Sequence, residues 1–155
     1  MTVALEHYTA MLAGHVLATE DALGRTSQPG YRQVWMWHAM EETEHKAVSC
    51  DVWNIAIQPG LRRYLLRTSV MLLTTVIFWS MVFYVHLRLI CADRTCRRKF
   101  RGLGKAFHYL WIHPTPLRKI IPEWLDFFRP SFHPWDEDNR AALARVDLAP
   151  APAVQ

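Results

Sequence analysis

The sequence predicts an all-α protein: a helix pair, then a long apolar helix, then short helices in an aromatic, proline-rich C-terminal part. Two observations carry this prediction. Apolar and small residues recur every three or four positions over residues 3–23 and 31–58, and residues 68–85 form one uncharged run. With 155 residues, 51% of them hydrophobic and 21% charged, the chain can bury one core. This composition excludes a disordered or collagen-like protein.

The first two predicted helices form the first of three predicted regions, residues 1–60. One helix covers residues 3–23, and residues 25–30 after it have the composition of a loop. The second helix covers residues 31–58, and Pro59-Gly60 ends it. A short loop between two helices makes them antiparallel neighbours.

The third predicted helix contains the uncharged run, which reaches the lower limit of about 17–25 residues for a membrane-spanning helix. Basic residues flank the run on both sides: Arg62, Arg63 and Arg67 before it, and Arg94, Arg97, Arg98, Lys99, Arg101 and Lys105 after it. The positive-inside rule therefore gives no orientation, and a helix lying in the membrane interface fits as well as a span. A helix buried in a larger protein is the alternative.

The distribution of charge separates the chain into three parts. Residues 1–60 carry a net charge of −4, residues 61–122 of +11 and residues 123–155 of −3, within a total of +4. A uniformly basic chain would indicate nucleic acid, but a basic part beside an apolar run indicates a membrane surface or lipid. We therefore expect no nucleic-acid partner, and a location at the cytoplasmic side of the membrane or within it.

The remaining sequence divides into a second predicted region, residues 61–106, and a third, residues 107–155. The second contains the apolar helix and its basic flank. In the third, prolines divide residues 107–128 into two short helices. From residue 130 onward we expect extended or disordered chain with a flexible tail.

The second predicted helix carries a set of side chains that can bind metal: His38, Glu41, Glu42 and His45. At about 100° per residue they share one arc with an apolar stripe. The stripe consists of Val34, Val48, Val52 and Ile55. Buried charges are costly unless they are paired or bound to a metal, and carboxylates and imidazoles are natural ligands of divalent ions. The pattern therefore predicts an inward-facing metal site.

Glu42 and His45 have the Glu-x-x-His spacing of di-iron and di-manganese helix bundles. Glu6 lies at a matching level if the two helices are antiparallel, because each helix rises about 1.5 Å per residue. We therefore expect Glu6, Glu42 and His45 as metal ligands. We expect His38 and Glu41 as further ligands, as groups that orient the ligands, or as a general base. The alternative is a solvated acidic helix face, on which this spacing is common.

Three separated blocks resemble the bacterial predicted metal-dependent hydrolase family. They are ALEHYTA at residues 4–10, WHAMEETEHKAVSCDV at residues 37–52 and RPSFHPW at residues 129–135. The resemblance implies a ferritin-like helical protein that binds two divalent metal ions, with iron favoured over manganese or zinc. It also implies longer family members, in which an earlier helix pair supplies a second set of ligands.

This chain carries only half of the ligand set that the resemblance implies. Three explanations compete: a truncated chain, a homodimer in which two copies complete the site, or an inactive site. The hypothesis for function is a metal-dependent hydrolase-like enzyme. The alternatives are a di-iron oxidase or oxygenase acting on a lipid-like substrate, and a non-catalytic membrane-associated fragment. If the metal hypothesis holds, His38, Glu42 and His45 should point toward Glu6 and away from solvent.

Overall fold

The computed structural model describes residues 1–18, 29–93, 99–112 and 116–144. All regular secondary structure within these ranges is helical, which confirms the all-α fold class. The described helices are α1 (Thr2–Ala18), α2 (Pro29–His45), α3 (Val48–Ala56), α4 (Leu61–Ala92), α5 (Lys99–Trp111), α6 (Pro116–Lys119), α7 (Ile121–Asp126) and α8 (Arg140–Leu143), with a 3₁₀ turn at Pro134–Asp136.

Helices α1 and α2 pack as an antiparallel pair. Ala13 and Leu17 near the end of α1 share a buried cluster with Ala39 of α2. At the other end of the pair, Ala4 of α1 and Trp53 of α3 line one small cavity. Helix α2 begins at Pro29, inside the predicted loop, so that part of the loop prediction is wrong. Residues 25–28 of the predicted loop lie outside the described residues.

The predicted continuous helix over residues 31–58 is broken at Lys46 and Ala47 into α2 and α3. Lys46 is buried at this break. Its Nζ donates hydrogen bonds of 2.6 Å to the Glu137 carbonyl and to Asn139 Oδ1. The break therefore lies where the helix pair is joined to the C-terminal segment. After α3, Gly60 has a φ of 143°, a conformation that favours glycine and turns the chain into α4.

Helix α4 has 32 residues; its buried residues all lie in its first half, while its second half is mostly exposed. Met71 and Thr74 are buried, whereas Val76, Met81 and Phe83 are exposed. It is the one described helix that is long and apolar enough to cross a membrane, and 11% of its most apolar 18-residue stretch is buried. Most of its apolar surface is therefore not explained by the described core.

The main core joins α1, α4 and the segment that holds α6 and α7. Its buried residues are Ala4, Tyr8, Met11, Met71, Ile120, Phe127 and Phe132. A single hydroxyl links these helices: Thr75 Oγ1 accepts hydrogen bonds from Tyr8 Oη at 2.7 Å and from Trp124 Nε1 at 3.1 Å. The same hydroxyl donates to the Met71 carbonyl at 2.7 Å. The three helices thus meet at one polar point inside an apolar cluster.

The expectation of extended or disordered chain from residue 130 onward is wrong for residues 130–144. Phe132 and Pro134 are buried, and the His133 and Asp136 side chains form a capping box around the 3₁₀ turn. Leu143 of α8 packs against the α1–α2 cluster. Contacts of its few apolar side chains with the helices hold this segment in place. Its mostly polar composition gives no sign of these contacts. Residues 145–155, the predicted flexible tail, lie outside the described residues.

The proline-based prediction of two short helices corresponds to α6 and α7. Pro116 is the first residue of α6, and Pro122 lies in the first turn of α7, where a missing N–H is tolerated. These prolines therefore start helices rather than break them. Residues 107–111, predicted to belong to the third region, instead complete α5, which begins at Lys99.

A partly buried polar cluster joins α1, α7 and the C-terminal segment. Burial, and then the neighbouring Glu137 carboxylate, raise the pKa of Glu123 to about 7. Burial likewise raises the pKa of Glu137, so the two carboxyl groups hold a proton between them near neutral pH. His7 Nε2 lies 3.1 Å from the Glu123 carbonyl oxygen, and burial lowers the pKa of His7 to about 4. The neutral imidazole therefore donates to this carbonyl.

We predict opposite effects for two isosteric substitutions on adjacent residues of α4. Thr75→Val leaves the Tyr8 hydroxyl and the Trp124 N–H without an acceptor, which should lower the free energy of unfolding by about 1–3 kcal/mol. Thr74 Oγ1 is buried with no hydrogen-bond partner among the described residues, so Thr74→Val should be neutral or stabilising. Thermal unfolding in a mild detergent measures both. Equal destabilisation by the two variants would contradict the role assigned to Thr75.

We predict that the stability gained by Glu123→Gln depends on pH. The folded protein keeps the Glu123 proton up to a pKa of about 7, whereas the unfolded chain releases it at an ordinary carboxyl pKa. The wild type therefore loses stability from this group as pH rises through that window. The variant has no proton to lose, so its melting temperature relative to wild type should increase between pH 4.5 and pH 7.5.

Glu44→Gln is the control for this prediction, because it removes the same charge at an exposed position of α2. Its difference from wild type should change little over the same pH range. A Glu123→Gln difference that is equally flat would contradict the shared-proton arrangement.

Candidate functional site

Two imidazole–carboxylate pairs lie on α2. His38 Nε2 is 3.6 Å from Glu42 Oε1, and His45 Nε2 is 3.9 Å from Glu41 Oε2. Each pair joins residues four positions apart, which face each other across one helical turn. His45, which was expected to share a metal ion with Glu42, is therefore paired with Glu41, while Glu42 is paired with His38.

The prediction that this face points into the core is wrong. The side chains of His38 and His45 are 49% and 65% exposed, so these two histidines do not point away from solvent as expected. Glu42 is less exposed, at 26%. The apolar stripe predicted to accompany them, Val34, Val48, Val52 and Ile55, is also exposed.

The face of α2 and α3 that packs against α1 carries smaller side chains. Its buried members are Ala39, Thr43, Ala47 and Cys50. Small side chains let two helix axes approach closely, and Ala13 of α1 matches them from the opposite side. The larger apolar residues therefore lie on the outer face, where no described element covers them.

Glu6 is the candidate ligand on α1. Its Oε2 atom is shielded from solvent and has no hydrogen-bond partner among the described residues. A buried carboxylate oxygen without a partner is costly, and a bound proton or cation removes that cost. The chemistry of Glu6 therefore fits the ligand role predicted for it.

The candidate ligands nevertheless do not converge within the described part of the chain. No group of three or more His, Cys, Asp or Glu side chains among residues 1–18, 29–93, 99–112 and 116–144 could hold a metal ion. The donor types suit a divalent metal, but the described helices supply pairs of donors and one single carboxylate. A metal bound here would need further ligands beyond these side chains, because protein-bound divalent metals take about four to six.

Sequence reasoning missed a third imidazole–carboxylate pair, between Asp51 of α3 and His133. His133 Nε2 lies 2.9 Å from Asp51 Oδ1, while His133 Nδ1 accepts a hydrogen bond of 3.3 Å from the Trp135 backbone N–H. Because Nδ1 is an acceptor, the imidazole proton is on Nε2 and is donated to Asp51. The two residues are 82 positions apart, so no local spacing reveals the pair. Each lies in one of the three resemblance blocks, which was the available signal.

The comparisons with known proteins give one positive result. A family model described as "Predicted metal-dependent hydrolase" matches residues 1–138 of the 155. No curated protein and no solved structure matches the chain. The matched range contains Glu6, the α2 pairs and the Asp51–His133 pair, and a metal-dependent family implies a divalent metal. This chain therefore belongs to the family of predicted metal-dependent hydrolases.

Proposed function

We propose that the outer face of α2 is part of a divalent-metal site for hydrolysis. We call it the α2 ligand face, consisting of His38, Glu41, Glu42 and His45. The observation that carries the proposal is the presence of two imidazole–carboxylate pairs on one helix face. The nitrogen-to-oxygen distance within the pair is 3.6 Å in one and 3.9 Å in the other. Membership of a metal-dependent family supports it. The metal, when bound, would supply Lewis acidity and lower the pKa of a bound water.

The residues have distinct roles in this proposal. Glu42 and His45 bind metal on this face, and His38 is a further ligand or holds Glu42 in position. Glu6 does not converge with them among the described residues, so in this proposal its buried carboxylate binds a cation separately. Glu41 accepts a proton as a general base in this proposal, since its carboxylate lies 3.9 Å from the proposed ligand His45, next to the position of the metal. Iron is the favoured ion because carboxylate-rich helix bundles commonly bind it, with manganese and zinc as alternatives.

The remaining ligands come from outside the described helices in this proposal. Val34, Val52 and Ile55 surround the ligand face and are exposed, Ile55 to 86%. Contiguous exposed apolar residues mark contact surfaces, so this face is suited to a partner that brings additional ligands. A second copy of the chain is one such partner, since a two-fold interface would place two ligand faces together.

We propose membrane association through α4. Its second half is mostly exposed and apolar, and among the described helices α4 alone has membrane-spanning length and composition. Basic residues follow this helix in sequence, which suits anionic lipid head groups. The protein would then work at the cytoplasmic side of a membrane or within it. This location also keeps open a second function, a di-iron oxidase or oxygenase acting on a lipid-like substrate.

We predict that wild-type protein binds a divalent metal and that the Glu42→Ala/His45→Ala double variant loses it. Two ligands from one ion are removed together, so the metal content per chain should fall to background. Elemental analysis by mass spectrometry after exhaustive dialysis measures this content. Glu44→Ala is the control, because Glu44 is exposed on the same helix but lies off the ligand face.

Two outcomes of the metal measurement decide between the proposals. A wild type with no more metal than the double variant would refute the metal site, for hydrolase and oxidase alike. Iron-loaded protein that consumes oxygen in the presence of a lipid-like substrate, but hydrolyses no ester, would favour the oxidase over the hydrolase.

We predict that Val76→Lys weakens membrane association, while Val52→Lys does not. The two valines have similar exposure, 64% and 61%, but only Val76 lies in the apolar stretch of α4. A lysine at the centre of a membrane helix costs about 2.5–3.5 kcal/mol on insertion scales. Co-sedimentation with vesicles or flotation from expressing cells measures the membrane-bound fraction. Equal membrane binding by the two variants would contradict the role of α4.

A further inference from the structure

A cavity of about 700 Å³ with both polar and apolar walls lies at the start of α4, outside the α2 ligand face. It is formed between the end of α3, the first two turns of α4 and the chain just before the 3₁₀ turn. The lining residues that matter here are Asn54, Gly60, Arg63, Arg67, Ser131 and His133. Its volume falls in the range of about 300–1,000 Å³ that small-molecule sites occupy.

Two arginines on the cavity wall have no counter-charge within 4 Å among the residues that the structure describes. Arg63 donates to the carbonyl oxygens of Asn54 and Ile57, at 3.2 Å and 3.4 Å. Arg67 donates to the carbonyl oxygens of Phe132 and Arg129. These acceptors are neutral, and within the described part of the chain neither guanidinium forms an ion pair with a carboxylate within 4 Å. Two like charges one turn apart therefore stand beside one cavity.

Arg67 is the more strongly constrained of the two. It is 8% exposed, and its Nε has no hydrogen-bond partner among the described residues. Its guanidinium also lies over the rings of Phe127 and Phe132, at 5.3 Å and 5.6 Å. Aromatic faces and carbonyls ease the burial of a cation but do not neutralise it. An anion near this guanidinium would do so.

The N-terminus of α4 is a second source of positive electrostatic potential in the cavity. Gly60 and Leu61 at the N-terminus of α4 line the cavity, and no side chain caps that terminus at Gly60. The unpaired N–H groups and the dipole of a long helix favour an anion at this end. The helix terminus and the two guanidiniums thus act on the same space.

The cavity has no catalytic triad, although Ser131, His133 and Asp51 are the right residue types. Both nitrogens of His133 are already used, one by Asp51 and the other by the Trp135 N–H. The imidazole therefore has no free nitrogen with which to deprotonate Ser131. The cavity is suited to binding rather than to covalent chemistry.

We propose that this cavity binds the phosphate group of a phosphate ester. A doubly charged phosphate matches two uncompensated guanidiniums better than a single carboxylate does, and guanidinium donors fit phosphate oxygens. Phosphate monoesters carry this double charge, both in a soluble ester and in the head group of phosphatidic acid. The uncharged run of α4 begins at Thr68, directly after Arg67, so a lipid monoester is a candidate source beside a soluble one. The lipid source rests on the proposed membrane association, whereas the phosphate site itself does not.

The test compares two neighbouring arginines in the full chain, held in a neutral detergent. Arg63 lines the cavity, whereas Arg62 is exposed and does not. Calorimetric titration with inorganic phosphate and with glycerol phosphate should show binding that Arg63→Gln weakens by about tenfold or more, as expected for a lost charge-assisted hydrogen bond. Arg62→Gln should leave the affinity nearly unchanged. Equal losses in the two variants would overturn the proposal, because they would reveal only a general charge effect.

A second variant keeps the test informative if Arg63→Gln unfolds. Ser131→Asp places a carboxylate in the cavity, so it should raise the melting temperature without phosphate and abolish the further rise that phosphate produces in wild type. A lower melting temperature with phosphate binding intact would overturn the proposal. Stabilisation of the wild type by acetate as large as by phosphate, at equal ionic strength, would overturn the assignment to phosphate.

Two ligands distinguish the source of the phosphate. Binding to phosphatidic acid vesicles that Arg63→Gln weakens, and that is much tighter than the binding of glycerol phosphate, supports the lipid head group. Binding of glycerol phosphate in detergent with similar affinity supports a soluble ester and stands even if α4 fails the membrane test. Binding of neither compound overturns the proposal.

Discussion

One hydroxyl oxygen, that of Thr75, organises the described core. It accepts hydrogen bonds from Tyr8 and Trp124, which are 67 and 49 residues away along the chain. An interior oxygen with both partners in place specifies one arrangement of α1, α4 and α7, since a shifted helix would leave polar atoms unpaired. It also marks the midpoint of α4. The buried residues of α4 all precede Thr75, and the residues after it are mostly exposed.

The fold class could be predicted because helical periodicity is a local property of the sequence. Which side of α2 faces α1 could not be predicted in the same way, because the period reveals two faces without identifying the buried one. The large apolar residues Val34 and Ile55 suggested the inner face, yet the small residue Ala39 occupies it. Close packing of the two helices favours small side chains over large apolar ones at this interface. The break at Lys46 and the ordered segment after residue 130 likewise depend on contacts between distant parts of the chain.

The candidate site was predicted in its residue types and not in its pairing. Carboxylates and imidazoles on α2 were evident, but side-chain geometry decided that His38 meets Glu42 and that His45 meets Glu41. The Asp51–His133 pair and the arginine-lined cavity are evident only in the folded structure, because their residues come from separate segments of the chain. The sequence did predict that positive charge collects around α4, and the uncompensated guanidiniums of Arg63 and Arg67 are where that charge meets a cavity.

The burial of Lys46 makes this amine a natural chemical reporter. Its Nζ is held by the Glu137 carbonyl and Asn139 and lies 5.1 Å from the centre of the Trp135 ring. An acylating reagent can reach it only when the C-terminal segment lifts away from α2 and α3. The rate of Lys46 modification therefore measures how often that segment opens, and it does so one residue from the proposed ligand His45. Opening events too rare to change the average structure would still be recorded as slow, cumulative labelling at this single site.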